Sequence, residues 1–184
     1  MSWTSGVFNT VKNPDQIFKV LYTVGYRLTG NHRLTVELIG ASISELNRQN
    51  PHAQNPPFKD VGQLLSGSNH IVFAAILKTL CFTYVNKFTV MYGRNHATAH
   101  AAIYELSRNG SQIQEALLYL QPKERLLVVL RDILGLNYAE IADLTGLEKN
   151  DVVCLLSAGR WSLRKLLTAP VVASNLPKRA GAAK

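Results

Sequence analysis

The segment from Gln112 to Leu167 is the most constraining part of this 184-residue chain, because its apolar spacing and its breaks fit only a compact group of helices. An apolar face runs through residues 123–134, and Gly135 ends that helix. From Tyr138 onward, a short helix, a turn with Gly146 and a second helix have the spacing of a helix-turn-helix. Its predicted core is Ile141, Leu144, Leu147, Val152 and Leu156.

The N-terminal half also shows helical periodicity, and no stretch of the chain alternates convincingly as strands do. Asn13, Pro14 and Asp15 form a helix-start signal, which an apolar stripe follows. Gly30 and Asn31 end this helix, and Asn31 can cap a second one. A loop over 50–57, a short helix over 58–65 and a long apolar helix from 71 to 92 complete the predicted bundle.

The sequence therefore predicts an all-α protein with two helical domains. We expect an N-terminal bundle over residues 1–92, a linker over 93–111, a C-terminal four-helix domain over 112–168 and a disordered basic tail over 169–184.

The apolar run over residues 71–92 is long enough to cross a membrane, but Lys78, Asn86 and Lys87 interrupt it. We therefore predict a buried helix and expect these three residues to lie on its more solvent-exposed side. Cys81 and Cys154 both lie in apolar helical patterns, where a reduced thiol acts as a small hydrophobic group. With no secretory signal in the first residues, the expected location is the cytoplasm.

The formal charge of +8 suits a polyanionic partner, but it is unevenly distributed. Residues 121–168 carry seven basic and six acidic residues, so the helix-turn-helix itself is nearly neutral. Phosphate neutralisation supplies most of the non-specific affinity of a DNA-binding protein. A DNA-binding function would therefore rest on few cationic contacts in this domain.

No motif in the sequence predicts an enzyme. Paired carboxylates, a nucleophile elbow, a phosphate-binding glycine loop and a dinucleotide fingerprint are all absent. His96 and His100 are four residues apart and could form the edge of a metal site, but no ligand-rich motif accompanies them. We expect a solvent-exposed pair there and predict neither a metal nor a cofactor.

Two strings carry a family resemblance. Residues 117–147, LLYLQPKERLLVVLRDILGLNYAEIADLTGL, are similar to the C-terminal domain of bacterial RNA polymerase sigma factors of the extracytoplasmic-function type. Residues 21–31, LYTVGYRLTGN, more loosely resemble the opening helix of the sigma core domain. The two likenesses occur in the correct order and at about the correct distance. The resemblance to the family is loose over residues 17–92 and good over residues 112–168.

The resemblance implies a sigma factor that binds core RNA polymerase and promoter DNA, with an anti-sigma factor as a further candidate partner. Its N-terminal domain would hold polymerase and the minus-ten element, and its recognition helix would read the minus-thirty-five element. The matching polymerase-binding candidates are Arg33, Glu37, Gly40 and Ala41. The minus-ten candidates are Lys78, Tyr84, Lys87 and Arg94. The recognition-helix candidates are Lys149, Asn150, Asp151, Val153, Cys154, Ser157 and Arg160.

The sequence departs from the family on these functional surfaces. Gly40 and Ala41 replace polar residues of the polymerase-binding helix, and Val153, Cys154 and Leu155 stand where base-reading side chains are expected. An outward Val153 and Leu155 would suit a helix that docks into another protein. The alternative is therefore a sigma-like regulator that binds polymerase or an anti-sigma factor without reading a promoter.

Overall fold

The computed structural model describes residues 13–49, 69–88 and 112–168, and every regular element in these ranges is a helix. The helices are α1 (Pro14–Thr29), α2 (His32–Gln49), α3 (Asn69–Thr83), α4 (Gln112–Tyr119), α5 (Pro122–Val128), α6 (Tyr138–Thr145) and α7 (Lys149–Thr168). A single-turn π-helical segment, Tyr84–Phe88, continues α3, and a second, Val129–Ile133, continues α5. The predicted all-α class is confirmed.

The first two helices begin and end where the sequence signals place their boundaries. The side chain of Asn13 accepts a hydrogen bond from the Gln16 amide at 2.9 Å and caps α1. At its other end Gly30 adopts φ +66° and donates its N–H to the Tyr26 carbonyl. Asn31 then accepts from the Leu34 amide at 3.2 Å, so it caps α2 as predicted.

The predicted buried helix over the long apolar run is also confirmed for its described part. Phe73, Leu77 and Leu80 are fully buried, whereas Lys78, Asn86 and Lys87 are exposed. In the ranges that the structure describes, none of the helices combines the length and hydropathy needed to cross a membrane.

The N-terminal and C-terminal helices share one continuous core. Leu21 and Leu28 of α1, Leu80 of α3, Leu127 of α5 and Ile141 of α6 belong to the same cluster of buried side chains. Polar contacts also join α4 to α1. Gln114 of α4 donates to the Tyr26 and Arg27 carbonyls at 3.3 Å, and its carbonyl oxygen accepts from the Arg27 guanidinium. The C-terminal helices are therefore packed against α1 and α3.

The two cysteines both lie in apolar helical patterns, but they differ in exposure. Cys81 lies in the core, and burial raises the pKa of its thiol to about 12. Cys154 is exposed on α7, because the buried face of that helix passes through Val152 and Leu156 instead.

Several predicted features lie outside the described residues. They are the loop 50–57, the short helix 58–65, the linker 93–111 with Arg94, His96 and His100, and the tail 169–184. Among the residues that are described, no cluster of His, Cys, Asp and Glu could hold a metal ion.

The turn at Gly30 provides a test of the contact between the two halves. A Cβ at Gly30 would meet Leu118 Cδ1 at 2.5 Å, whereas a Cβ at Gly146, which has a similar φ of +71°, would meet nothing within 4 Å. Both substitutions to Ala incur the left-handed backbone cost, and only Gly30→Ala also displaces a buried leucine. We expect Gly30→Ala to lower the free energy of unfolding by about 1–3 kcal/mol more than Gly146→Ala in urea titrations. Equal losses in the two variants would show that Leu118 does not press on Gly30.

Candidate nucleic-acid interface

The helix-turn-helix is α6, the turn at Gly146 and the first half of α7. Asn137 and Glu140 form a capping box at the start of α6, with bonds of 3.0 Å from the Glu140 amide to Asn137 and 2.9 Å from the Asn137 amide to Glu140. At its end Gly146 donates its N–H to the Ala142 carbonyl at 2.8 Å. These bonds fix both ends of α6 and therefore the angle at which α7 leaves the turn.

The predicted core of this motif is confirmed. Ile141, Leu144, Val152 and Leu156 are buried, and Leu147 packs against them. On the same side of α7, a Cβ at Gly159 would lie 3.1 Å from Glu124 Cβ and from Val128 Cγ2. The absence of a side chain at Gly159 thus allows α7 to lie close against α5.

The opposite side of α7 is open. All seven recognition-helix candidates are exposed: Lys149, Asn150, Asp151, Val153, Cys154, Ser157 and Arg160. Leu155, which the sequence analysis placed outward, is only half-exposed and packs against the core. The helix begins at Lys149, so Asp151 lies in its first turn, where an acid suits the helix dipole.

Arg160 differs from the other candidates because its guanidinium already has a carboxylate partner. It donates two hydrogen bonds to Asp132, on the π-helical end of α5, and one of them, from Nε, measures 3.1 Å. These bonds to Asp132 raise the pKa of Arg160. Sequence reasoning did not include Asp132, since 28 positions separate the two residues. The pair links α7 to the helix beneath it.

The polymerase-binding candidates lie on α2. Arg33, Glu37 and Gly40 are exposed, and Ala41 is half-buried. Val36 is 53% exposed, although no sequence signal marked it. Residues 33, 36, 37 and 40 follow the three- and four-residue spacing of a single helix face. The structure thus places one open stripe on α2.

The minus-ten candidates do not form one open surface. Lys78 is exposed, and its ammonium lies 4.0 Å from Asp143 of α6. Lys87 is also exposed, and its ammonium lies 2.6 Å from Glu45. Tyr84 is 3% exposed, and burial raises the pKa of its hydroxyl. Arg94 lies outside the described residues.

Glu45 is a buried carboxylate that the sequence did not single out. Arg48, Gln49 and Lys87 all donate to its two oxygens. The hydrogen bonds from Arg48, followed by those from Lys87 and Gln49, lower the pKa of Glu45 to about 2. This charge cluster holds the end of α2 against the π-helical end of α3.

Comparison with known families supports the assignment of the C-terminal segment. Residues 111–163 match the family model described as "Sigma-70, region 4". The matched range covers α4, α5, α6 and most of α7, and it includes the whole helix-turn-helix.

The lowered pKa of Glu45 predicts an acid-dependent loss of stability. A carboxylate whose pKa is lower in the folded state stabilises the fold above the unfolded value of 4.5, and this contribution is lost as the pH falls towards 2. Between pH 6 and pH 3, the free energy of unfolding of the wild type should therefore fall more than that of Glu45→Gln. Denaturant titrations at the two pH values measure the difference. Glu148→Gln, at an exposed position, is the control and should follow the wild type; a Glu45→Gln variant with the same pH response as the wild type would contradict the assignment.

Proposed function

We propose that this chain, whose residues 111–163 form a sigma-70 region 4 domain, is a sigma factor that binds core RNA polymerase and directs it to promoter DNA. The observation that carries the proposal is the open outer side of the first half of α7, on a helix-turn-helix whose ends are fixed by hydrogen bonds. A major groove about 12 Å wide admits such a helix.

Within that helix we assign base and phosphate contacts to Lys149, Asn150 and Ser157. They combine exposure with donors that can reach base edges or phosphate oxygens. Val153, exposed to 46%, and Cys154 offer apolar contact of the kind a thymine methyl accepts. Because Asp132 engages Arg160, we assign that residue a smaller share of the DNA contacts.

The near-neutral charge of residues 121–168 limits the affinity of this domain for DNA. Few cations face the phosphates, so the isolated domain should bind DNA weakly. Attachment to polymerase raises its effective concentration at the promoter, and the second contact is then nearly intramolecular. The proposed polymerase contact is the α2 stripe of Arg33, Val36, Glu37 and Gly40.

For the minus-ten element we propose contacts through Lys78 and Lys87, whose side chains are exposed. Their ammonium groups lie beside Asp143 and Glu45, so each would have to exchange its carboxylate partner for a phosphate, and we assign the larger share to Lys78, whose ammonium lies farther from its carboxylate. The buried ring of Tyr84 is a core side chain in this arrangement. We further propose that the protein acts in the cytoplasm with no catalytic chemistry of its own, and that it is an extracytoplasmic-function sigma factor with domains 1–92 and 112–168.

A protein-docking role for the same helix is the second candidate, and the exposed Val153 favours it. In that case α7 would bind a polymerase subunit or an anti-sigma factor without reading a promoter. The two functions use the same surface, but DNA binding favours added positive charge there, whereas an apolar protein contact does not. Substitutions at this surface can therefore separate them.

The first experiment tests the initiation factor. The full chain is mixed with core RNA polymerase, and run-off transcripts are collected from a library of genomic fragments. We expect initiation at a defined set of fragments. Lys149→Ala should weaken promoter binding by about three- to tenfold, the value of one lost phosphate or base contact. Lys165→Ala is the matched control, because that ammonium lies 3.6 Å over the Trp161 ring, and it should bind as the wild type does. Failure of the chain to associate with polymerase would refute the proposal.

A second substitution separates the two candidate functions. Val153→Lys adds a cation to the exposed surface, so it should preserve or strengthen promoter binding if α7 lies in a groove. If Val153 is instead buried against a protein, the new charge would be desolvated and capture of that partner would fall by at least about tenfold. Promoter-binding titrations and capture of polymerase subunits, measured on the same preparation, give the answer. Loss of subunit capture in the variant, with no promoter binding by either the variant or the wild type, would favour the docking role.

A further inference from the structure

A pocket of about 170 Å³ lies where the end of α3 meets α5 and the turn of the helix-turn-helix. Its walls are mainly apolar: Phe82 and Val85 come from the α3 side, Leu127 from α5 and Leu147 from the turn. Cys81 also lines it, and the raised pKa of that thiol keeps it protonated, so the wall carries no thiolate at neutral pH.

The size of the pocket limits what could occupy it. An engineered apolar cavity of about 150 Å³ accommodates a benzene molecule, whereas pockets for drug-sized ligands exceed about 300 Å³. The space here therefore suits one six-membered ring or a short alkyl chain. A larger ligand would have to extend out of the opening.

The polar lining points to the charge of the ligand. Asn86 donates its amide to the Phe82 carbonyl at 3.1 Å, and Thr145 donates its hydroxyl to the Ile141 carbonyl at 2.7 Å. Lys123 is the charged side chain of the lining, and in the described part of the chain its ammonium forms no salt bridge. An apolar pocket with one cation at its rim that forms no salt bridge to the described residues is complementary to a small amphiphilic anion.

We propose that this pocket binds a small aryl or short-chain carboxylate, with the apolar part between Val85, Leu127 and Leu147 and the carboxylate at Lys123. Because its walls come from both halves of the molecule, such a ligand would hold the helix-turn-helix against α3. Bound ligand thus stabilises the packed arrangement by an amount that grows with the logarithm of one plus the ratio of its concentration to its Kd.

The test adds phenylacetate, or its uncharged analogue phenylacetamide, to the full chain. NMR titrations measure binding from the changes in backbone amide chemical shifts. We expect phenylacetate to shift the amides of Val85, Thr145 and Leu147 saturably, with a Kd of about 1 mM, a value that suits a ligand of ten heavy atoms. Phenylacetamide should bind about fivefold more weakly, because it has no carboxylate to form the partly exposed ion pair with Lys123.

Three variants locate the site. Lys123→Met, at an exposed position, should reduce phenylacetate binding to the level of phenylacetamide, whereas Lys165→Met should leave both unchanged. Leu147→Trp should fill the pocket and abolish binding of both probes, with thermal unfolding recorded to confirm that the variant is folded. The absence of saturable shifts at these amides would overturn the proposal, as would equal affinities for the two probes. No polymerase or DNA is present, so either result is independent of the proposed function.

Discussion

The arrangement of the described helices depends on one buried cation, the guanidinium of Arg125. It is 6% exposed and donates to three main-chain carbonyls: Leu28 at 2.7 Å, Leu120 at 3.0 Å and Leu118. Leu28 lies in the last turn of α1 and Leu118 in the last turn of α4, where helical carbonyls lack partners within their own helix. A cation there also suits the negative ends of both helix dipoles. Without it, three carbonyls at the junction would each lose a charged hydrogen-bond donor.

The position of α7, the proposed DNA-binding helix, follows from this junction through a short series of contacts. Arg125 fixes α5 against α1 and α4, and the close approach at Gly159 fixes α7 against α5. The Arg160–Asp132 pair then joins the middle of α7 to the π-helical end of α5. The capping box at Asn137 and the left-handed Gly146 determine the remaining geometry, so the outer side of α7 is presented by a rigid support.

Much of the fold follows from local signals in the sequence. Asn13, Gly30, Asn31 and Gly146 end or cap helices through hydrogen bonds to residues three or four positions away, and each ends or caps the helix that it was predicted to end or cap. The core of the helix-turn-helix follows from spacing for the same reason. Contacts between distant positions were not predictable: the Glu45–Lys87 pair joins residues 42 positions apart, and Arg125 reaches a carbonyl 97 positions away.

The candidate site was predictable to a similar degree. The exposure of Lys149, Asn150, Val153 and Ser157 follows from helical spacing, and the structure agrees. The engagement of Arg160 by Asp132 depends on how α7 crosses α5, and periodicity carries no information about that crossing. The open stripe on α2 was only partly recognised, because Val36 is apolar and gave no signal for an exposed position.

Hydrogen–deuterium exchange of the full chain tests the central claim most directly, first with core RNA polymerase alone and then with polymerase and a promoter fragment. The account predicts that polymerase protects amides of α2 and leaves residues 149–158 of α7 unchanged, and that these residues become protected only when promoter DNA is added. Protection of residues 149–158 by polymerase alone, with no further change on addition of DNA, would contradict it.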